Sequence, residues 1–523
     1  MPQHISMLCS NYKKAGKENA TDMKFLSGLD ASFLHLETAD MPMHIGGLML
    51  LDLPYSDDGD FYEKVKLQLI SRLHLLTAFT RKLVLMPLEF SNPMWIENAD
   101  IDIDYHVRKM SLPKSGTMSQ LESTVAHLHS SLLDRSRPLW EFTVLEGLKS
   151  GQVAIYFKVH HAVLDGQGAE ALAQTLLDVT PVPRKIKGVY SEKKTSKVEF
   201  RPELTELIGA GLRNNAGQYW NAIKALPAAV AAIGHAVGVA KEHAHDEDKN
   251  GRTGLSKSLK FAPKTPLNVS ISKERALATV SLSISEAKEV ARAFGGSLND
   301  VVLAICSGTL RAYLQDKNAL PEETLVAAIP VSLREPGNSE SNNQVSMMLI
   351  DLATHLADPK KRMRAIVKSS TSLKSTLKGV KSALPTNFPS IGVPWLMTRL
   401  TALYERGKLA DRIPPVANVI ISNVSGPRVP LYLAGAKISA DFPVSAVIHG
   451  IALNITMMSY VDSLDIGLLA CRDVVPDIKS LAKMLVATHR ELLKAARDLD
   501  AASASRSKTS VKRVKSRINV KEA

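Results

Sequence analysis

Hydrophobic positions along the chain switch between a period of two and a period near 3.6, the rhythms of strands and of helices. Ala154 to Val159 is rich in β-branched and aromatic residues, with no Gly or Pro, and predicts a strand. Beyond Gly166, the apolar residues Ala169, Leu172, Ala173, Leu176 and Leu177 recur on one helix face. A strand thus runs into a helix through His160-His161-Ala162-Val163-Leu164-Asp165-Gly166, with Asp165 and Gly166 at the helix entrance. If the strand continues through the pair, alternation groups His161 with Ile155, Phe157 and Val159, and His160 with Tyr156 and Lys158. His161 then faces the apolar side, where loss of water disfavours imidazolium and leaves the neutral ring a general base needs. Asp165 either accepts from a ring N–H or braces the turn through a cation elsewhere.

The same reading predicts strands at His44 to Leu53, Ala276 to Ser283, Leu325 to Ser332, Val345 to Leu352, Val416 to Ser422, His449 to Tyr460 and Leu464 to Leu469. Helices are expected at Phe61 to Leu76, Met118 to Leu133, Ser285 to Phe294, beginning again within Gly295 to Asp300, at Lys360 to Lys378 and at Val474 to Leu499. Trp140 to Leu145 and Val153 to Val159 form a hairpin around Gly147 and Gly151, entered through Pro138-Leu139-Trp140. These three residues read as structural, with proline fixing the entry and tryptophan packing beneath the histidine-bearing strand. Ser297 with Asp300 has the spacing of a helix cap. Asn423-Val424-Ser425-Gly426-Pro427 is a turn whose Gly and Pro permit close approach to a neighbour. His35 and His44 lack partners at ligand spacing and read as core or surface polar residues.

Punctuation divides the chain. A polar extension covers 1–22, with Met23 as an alternative start; a first domain covers 23–180, and a basic linker with crossing helices 181–265. A second domain covers 266–500 and a basic, disordered tail 501–523. At 523 residues, 45% hydrophobic and 22% charged, the composition is that of a globular protein with two cores. Only Cys9, Cys306 and Cys471 are present, so neither a disulfide framework nor a thiolate metal site is suggested. Adjacent histidines on a strand diverge, so no metal is expected at the pair either. The N-terminus lacks an apolar signal core, and the most apolar run, Leu226 to Ala240, is shorter than the roughly 20 residues that span a bilayer. The net charge is +13, of which Arg506 to Lys521 supplies seven basic residues and no acid, a segment suited to anionic head groups. Neither a phosphate-binding Gly-rich loop with Lys nor a dinucleotide fingerprint is present, and no Gly-x-Ser-x-Gly elbow supplies a nucleophile.

A His pair alone is as readily packing as chemistry. The full His-His-x-x-x-Asp-Gly pattern between a strand and an amphipathic helix is far more specific, and it resembles the active-site motif of the bacterial wax ester synthase/diacylglycerol acyltransferase family. Leu29-Asp30-Ala31-Ser32-Phe33, Pro138-Leu139-Trp140, Asn299-Asp300 and Asn423 to Pro427 follow in the family's order, so the resemblance spans roughly Met23 to Asp498. It implies an α/β protein of two similar mixed-sheet domains, of the CoA-dependent acyltransferase type, with the site in a tunnel at their interface. It further implies His161 as general base beside His160 and Asp165, with Gly166, Asn299, Asp300, Ser425 and Gly426 near the substrate. Long-chain acyl-CoA enters as substrate rather than cofactor, and diacylglycerol or a fatty alcohol accepts the acyl group. A cytoplasmic protein touching the inner membrane face or a lipid inclusion, with no specific nucleic acid partner, fits this reading. The rivals are a related acyltransferase with another acceptor, and a non-catalytic lipid-surface protein using the basic tail.

Overall fold

The computed structural model describes residues 24–54, 60–89, 91–97, 101–164, 166–186, 205, 207–211, 214, 261–332, 345–380 and 394–519. The first half contains β1 (Lys24–Phe25), α1 (Gly28–Leu36), β2 (His44–Asp52), α2 (Phe61–Arg72), β3 (Arg81–Val84), β4 (Met94–Glu97), α3 (Ile103–His106) and β5 (Val107–Ser111). It continues with α4 (Met118–Ser130), β6 (Trp140–Glu146), β7 (Val153–His160) and α5 (Gly166–Leu176). The second half opens with β8 (Arg275–Ser283), α6 (Ile284–Phe294), α7 (Leu298–Asp316), β9 (Val326–Ser332), β10 (Val345–Asp351), α8 (Pro359–Val380) and α9 (Pro394–Arg406). It ends with β11 (Val419–Val424), β12 (Tyr432–Leu433), β13 (Ala436–Val444), β14 (Leu453–Tyr460), β15 (Ser463–Cys471) and α10 (Ile478–Asn519).

Among the described residues, two six-stranded mixed sheets dominate, ordered β12-β13-β2-β7-β6-β5 and β10-β9-β11-β14-β15-β8, beside a small sheet β1-β4-β3. The architecture is thus α/β with two sheet-centred halves, as the sequence led us to expect. The first sheet is not built from the first half alone: β13 runs antiparallel to β2, pairing Lys437 with Asp52 and Val444 with Gly46. Ala436 to Val444 is a strand the sequence reading misses, although its burial alternates, and its partner lies almost four hundred residues back.

Each sheet buries its apolar faces against helices. Phe61, Val65 and Leu69 of α2 and Leu172 and Leu176 of α5 pack on Ile155, Phe142 and Val144 from one side of the first sheet. Val125 and Leu121 of α4 cover Ala154 and Tyr156 from the other. In the second half, α7 is apolar almost all round, and Val301 to Leu310 is accordingly buried among α6, α8, α10 and the sheet. The basic stretch expected as a disordered tail instead continues α10 to Asn519. Between Ile478 and Asn519 the chain has no Gly or Pro and is rich in Ala, Leu, Lys and Arg, so nothing local ends the helix once the packed first turns have nucleated it. Among the described residues, no single helix is long and apolar enough to cross a membrane.

Candidate active site

The strand predicted for Ala154 to Val159 is β7, and it sits at the centre of its sheet. Its pairing with β2 runs from Leu51 opposite Val153 to His44 opposite His160, and ends there. The strand therefore does not continue through both histidines. His160 is its last residue, and Val163 N–H closes a turn on the His160 carbonyl at 2.9 Å, which leaves His161 on the turn. This corrects the alternation argument: the wholly enclosed ring is that of His160, 0% exposed, whereas His161 keeps part of its surface open.

The entry motif secures this strand end. His160 N–H donates to the Leu139 carbonyl at 3.0 Å, and His161 N–H donates to the Met43 carbonyl at 2.9 Å. Pro138 opens the turn into β6, and Leu139 and Trp140 are fully buried beyond it. The Trp140 indole is sandwiched between Phe79 and His106, ring centroids 4.6 and 4.2 Å away and nearly parallel. Its Nε1–H donates to the Phe79 carbonyl at 2.9 Å, so a large buried ring has its one polar atom satisfied.

Around His160 the groups are charged and ordered. Ala162 N–H donates to His160 Nδ1 at 3.1 Å, so Nδ1 is the bare acceptor nitrogen and the proton of the neutral ring sits on Nε2. Nε2 lies 3.2 Å from Glu37 Oε2. Glu37 also accepts from Met43 N–H at 3.1 Å and from Arg135 Nη2 at 2.9 Å. Burial alone would raise the Glu37 carboxyl; contact with His160, the charge of Arg135 and the Met43 N–H outweigh it and hold the group down at about 2. Lys158, one turn of the pleat behind, is 2% exposed, pairs with Glu141 at 3.4 Å and donates to the carbonyls of Leu128 and Ser131. His44 and His129 are buried edge to face behind the strand, and burial pushes both well down from the ordinary imidazole value, His129 to about 3. His44 is thus a core residue, one of the two places the sequence allows it.

His161 itself stacks on Phe33 of α1, ring centroids 4.1 Å apart at 11°. Asp165 lies outside the described residues, and Gly166 is the first residue of α5. Asp300 is 3% exposed and accepts the Ser297 N–H and hydroxyl at 2.7 and 2.8 Å, so it caps α7; Asn299 beside it is half-buried in the first turn. Ser425 is exposed just past β11, and Gly426 presses against the end of β14. A Cβ at Gly426 would stand 2.1 Å from the Ser459 carbonyl oxygen, so no other residue fits that approach. Glu37, Arg135, Met43 and Phe33 were not singled out as site residues from sequence. Phe33 is marked only as the end of Leu29-Asp30-Ala31-Ser32-Phe33, and Glu37, just beyond α1, carries no local signal of its role.

Two mixed sheets, with a histidine pair at the end of the central strand of one, agree with the CoA-dependent acyltransferase fold that the sequence resemblance implies. The catalytic-domain model of the wax ester synthase/diacylglycerol acyltransferases matches residues 26–302, and their C-terminal-domain model matches residues 341–492. The chain belongs to the wax ester synthase/diacylglycerol acyltransferase family. Its activity is acyl transfer to diacylglycerol or an alcohol. A Mycobacterium tuberculosis protein named for diacylglycerol O-acyltransferase activity is 36% identical over 476 residues, 90% of this chain and 99% of that one. O-acyltransferase WSD of Acinetobacter baylyi is 32% identical over 464 residues, 88% of this chain and 94% of that one. The solved wax ester synthase/diacylglycerol acyltransferase from Marinobacter aquaeolei VT8 superposes with a TM-score of 0.63 at 28% identity, covering 90% of this chain and 100% of that one.

Proposed function

We propose that His161 is the general base of this transfer. Of the two histidines, only His161 keeps part of its surface open, and this observation carries the assignment. The acceptor, a diacylglycerol or long-chain alcohol, gives its hydroxyl proton to His161 as its oxygen attacks the thioester carbonyl of a long-chain acyl-CoA. The C–O bond forms, the C–S bond breaks, and the proton passes to the departing CoA thiolate, giving triacylglycerol or wax ester and free CoA. A placed base contributes roughly 10²–10⁴ in rate, with the rest from alignment and stabilisation of the oxyanion. No covalent acyl-enzyme is needed. His160 we read as holding the turn rather than exchanging protons, because both its ring nitrogens face protein partners.

Asn299 at the N-terminus of α7 and the exposed Ser425 beside Gly426 are assigned to the acyl-CoA side of the site, while Asp300 supports Asn299 through its cap. The basic end of α10, with the overall charge of +13, favours peripheral contact with an anionic membrane or lipid inclusion on the cytoplasmic side.

The test is thiol release from palmitoyl-CoA by the purified protein, with hexadecanol or dioleoylglycerol as acceptor, beside a folded His161→Ala variant. Acceptor-dependent release that falls at least ~100-fold in the variant, as loss of a placed base requires, supports the assignment and ranks the acceptors. Undiminished release in the variant refutes the base.

A further inference from the structure

Glu37 terminates α1, the helix whose Phe33 stacks on His161, and it is the C-cap residue of that helix. Its side chain is 3% exposed and turned inward, where it meets Met43 and His160, which both lead to the catalytic turn, and Arg135. Through Oε2 it receives Met43 N–H, and the carbonyl of the same residue receives His161 N–H. Through Oε2 it also faces His160 Nε2, and the opposite nitrogen of that ring receives Ala162 N–H. The backbone is thus held immediately before and immediately after the His161 Cα, and both holds trace to one carboxylate. Arg135 fixes that carboxylate in turn: its Nε and Nη2 reach Oε1 at 3.2 and 2.9 Å, and Nη2 also donates to the Leu34 carbonyl at 2.7 Å.

We propose that Glu37 is a positioning residue for the acyl-transfer reaction, acting through His160 to hold the His161 turn at the geometry in which its ring meets the acceptor hydroxyl. The inference rests on His161 as base. An ionised carboxylate suits this role for two reasons. It accepts from several donors at once in a site where an unpaired N–H is costly, and it fixes the tautomer of His160 by drawing the proton to Nε2, leaving Nδ1 bare for Ala162. A neutral amide does neither reliably, since half of it is a donor. The arrangement parallels the orienting partner that catalytic and ligand histidines generally need. Here the oriented element is the main chain on both sides of the base.

The experiment compares Glu37→Gln, His160→Asn, His160→Gln and the double variant Glu37→Gln/His160→Asn in the full-length protein. Each is assayed for kcat and KM with palmitoyl-CoA and hexadecanol, with the folded fraction measured by near-ultraviolet circular dichroism and thermal melting. In His160→Asn the shorter amide keeps an acceptor near the Nδ1 position and cannot reach Glu37. In His160→Gln the longer amide reaches Glu37 and leaves Ala162 N–H without its acceptor. The chain of contacts is broken in every case. Each single variant is therefore expected to lose about 10- to 100-fold in kcat per folded molecule, with KM for acyl-CoA changed less than about threefold. Adding Glu37→Gln to His160→Asn should cost less than the product of the two single losses, because the His160 link is already cut and only the hold through Met43 is left to weaken. Folded Glu37→Gln with kcat within about twofold of the parent overturns the proposal, as do losses that multiply in the double variant. If Glu37→Gln does not fold, the two His160 variants decide: the proposal fails if either retains parental kcat. Loss of activity in His161→Ala together with an active Glu37→Gln refutes the positioning role alone, whereas an active His161→Ala refutes the base on which it rests.

Discussion

Arg72 and Asp178 form an ion pair of 2.7 Å with side chains only 1% and 3% exposed. Arg72 also donates to the carbonyls of Thr175 and Leu176, and Asp178 exchanges backbone hydrogen bonds of 2.9 and 2.7 Å with Tyr432. One pair therefore ties α2, the end of the helix that opens at Gly166, and β12 together. Removing one partner leaves the other charge buried and unpaired, which costs about 3–5 kcal/mol. Asp178→Ala should lower the urea midpoint by a corresponding amount, and Asp178→Asn, which keeps a polar partner for Arg72, by less. An unchanged midpoint in Asp178→Ala would contradict the account.

Stability should also fall with rising pH over part of the range. Burial, and then the neighbouring Asp465, push the Asp441 carboxyl up to about 7, against 3.8 in a free chain. Asp441 N–H donates to Asp465 Oδ2 at 2.9 Å, and the Ser281 hydroxyl donates to the other oxygen at 2.7 Å. The folded state keeps a proton that the unfolded chain releases between about 4 and 7, so stability is fullest below that window and declines through it. Asp441→Asn has no such proton. Its melting temperature should exceed the parent's at about pH 8, by a margin that shrinks toward about pH 4.5; a margin independent of pH would rule this out. Glu37 has the opposite sign: its stabilisation is present above 4.5 and is lost as pH falls toward about 2.

The two sheets touch where Gly467 of β15 meets Pro443 of β13. A Cβ at Gly467 would lie 1.8 Å from the Pro443 carbonyl oxygen. Since both atoms belong to paired strands, neither can retreat, and Gly467→Ala should cost about 3 kcal/mol or more. Gly151, in the hairpin turn, has φ +79° with open space around it, so Gly151→Ala should cost only about 1–2 kcal/mol from backbone strain. Equal losses in chemical denaturation would show that the close approach is not what demands glycine at position 467.

Replacing Phe33 tests the stacking partner of the base. A leucine keeps most of the apolar contact but gives up the parallel ring face, worth about 0.5–1.5 kcal/mol. His161 would then sample other rotamers, and Phe33→Leu should lower kcat by about tenfold with KM for acyl-CoA little changed, since misplacement by about 1 Å can cost up to about 100-fold. Wild-type kcat in a folded Phe33→Leu protein would make the stack incidental.

Much of this organisation is readable in the sequence because it is local. The strand through Ala154 to Val159, the hairpin before it and the helix after Gly166 each announce themselves by period and turn residues. The roles within the His pair are not readable that way. Which ring is enclosed depends on where pairing with β2 stops, and that is set by His44 and Met43, more than a hundred residues upstream. Glu37 is invisible for the same reason: its meaning comes from Arg135 and His160, which only tertiary structure brings to it. The end of the final helix is misread because basic composition suggests solvation, while helix propensity in Ala, Lys and Arg allows the helix to continue.

The strands between Tyr432 and Val444 close the first sheet from the far end of the chain, beside β2. On the ribosome, β2 and β7 emerge long before their last neighbour. At about 5–20 residues per second, the outer edge of β2 stays open for tens of seconds, with its row of unpaired N–H and C=O groups exposed to other nascent chains. The two halves thus cannot mature one after the other. The histidine-bearing sheet is completed only when most of the protein has been made, and a prematurely terminated chain lacking Tyr432 to Val444 leaves a sticky, aggregation-prone edge where the finished enzyme has none.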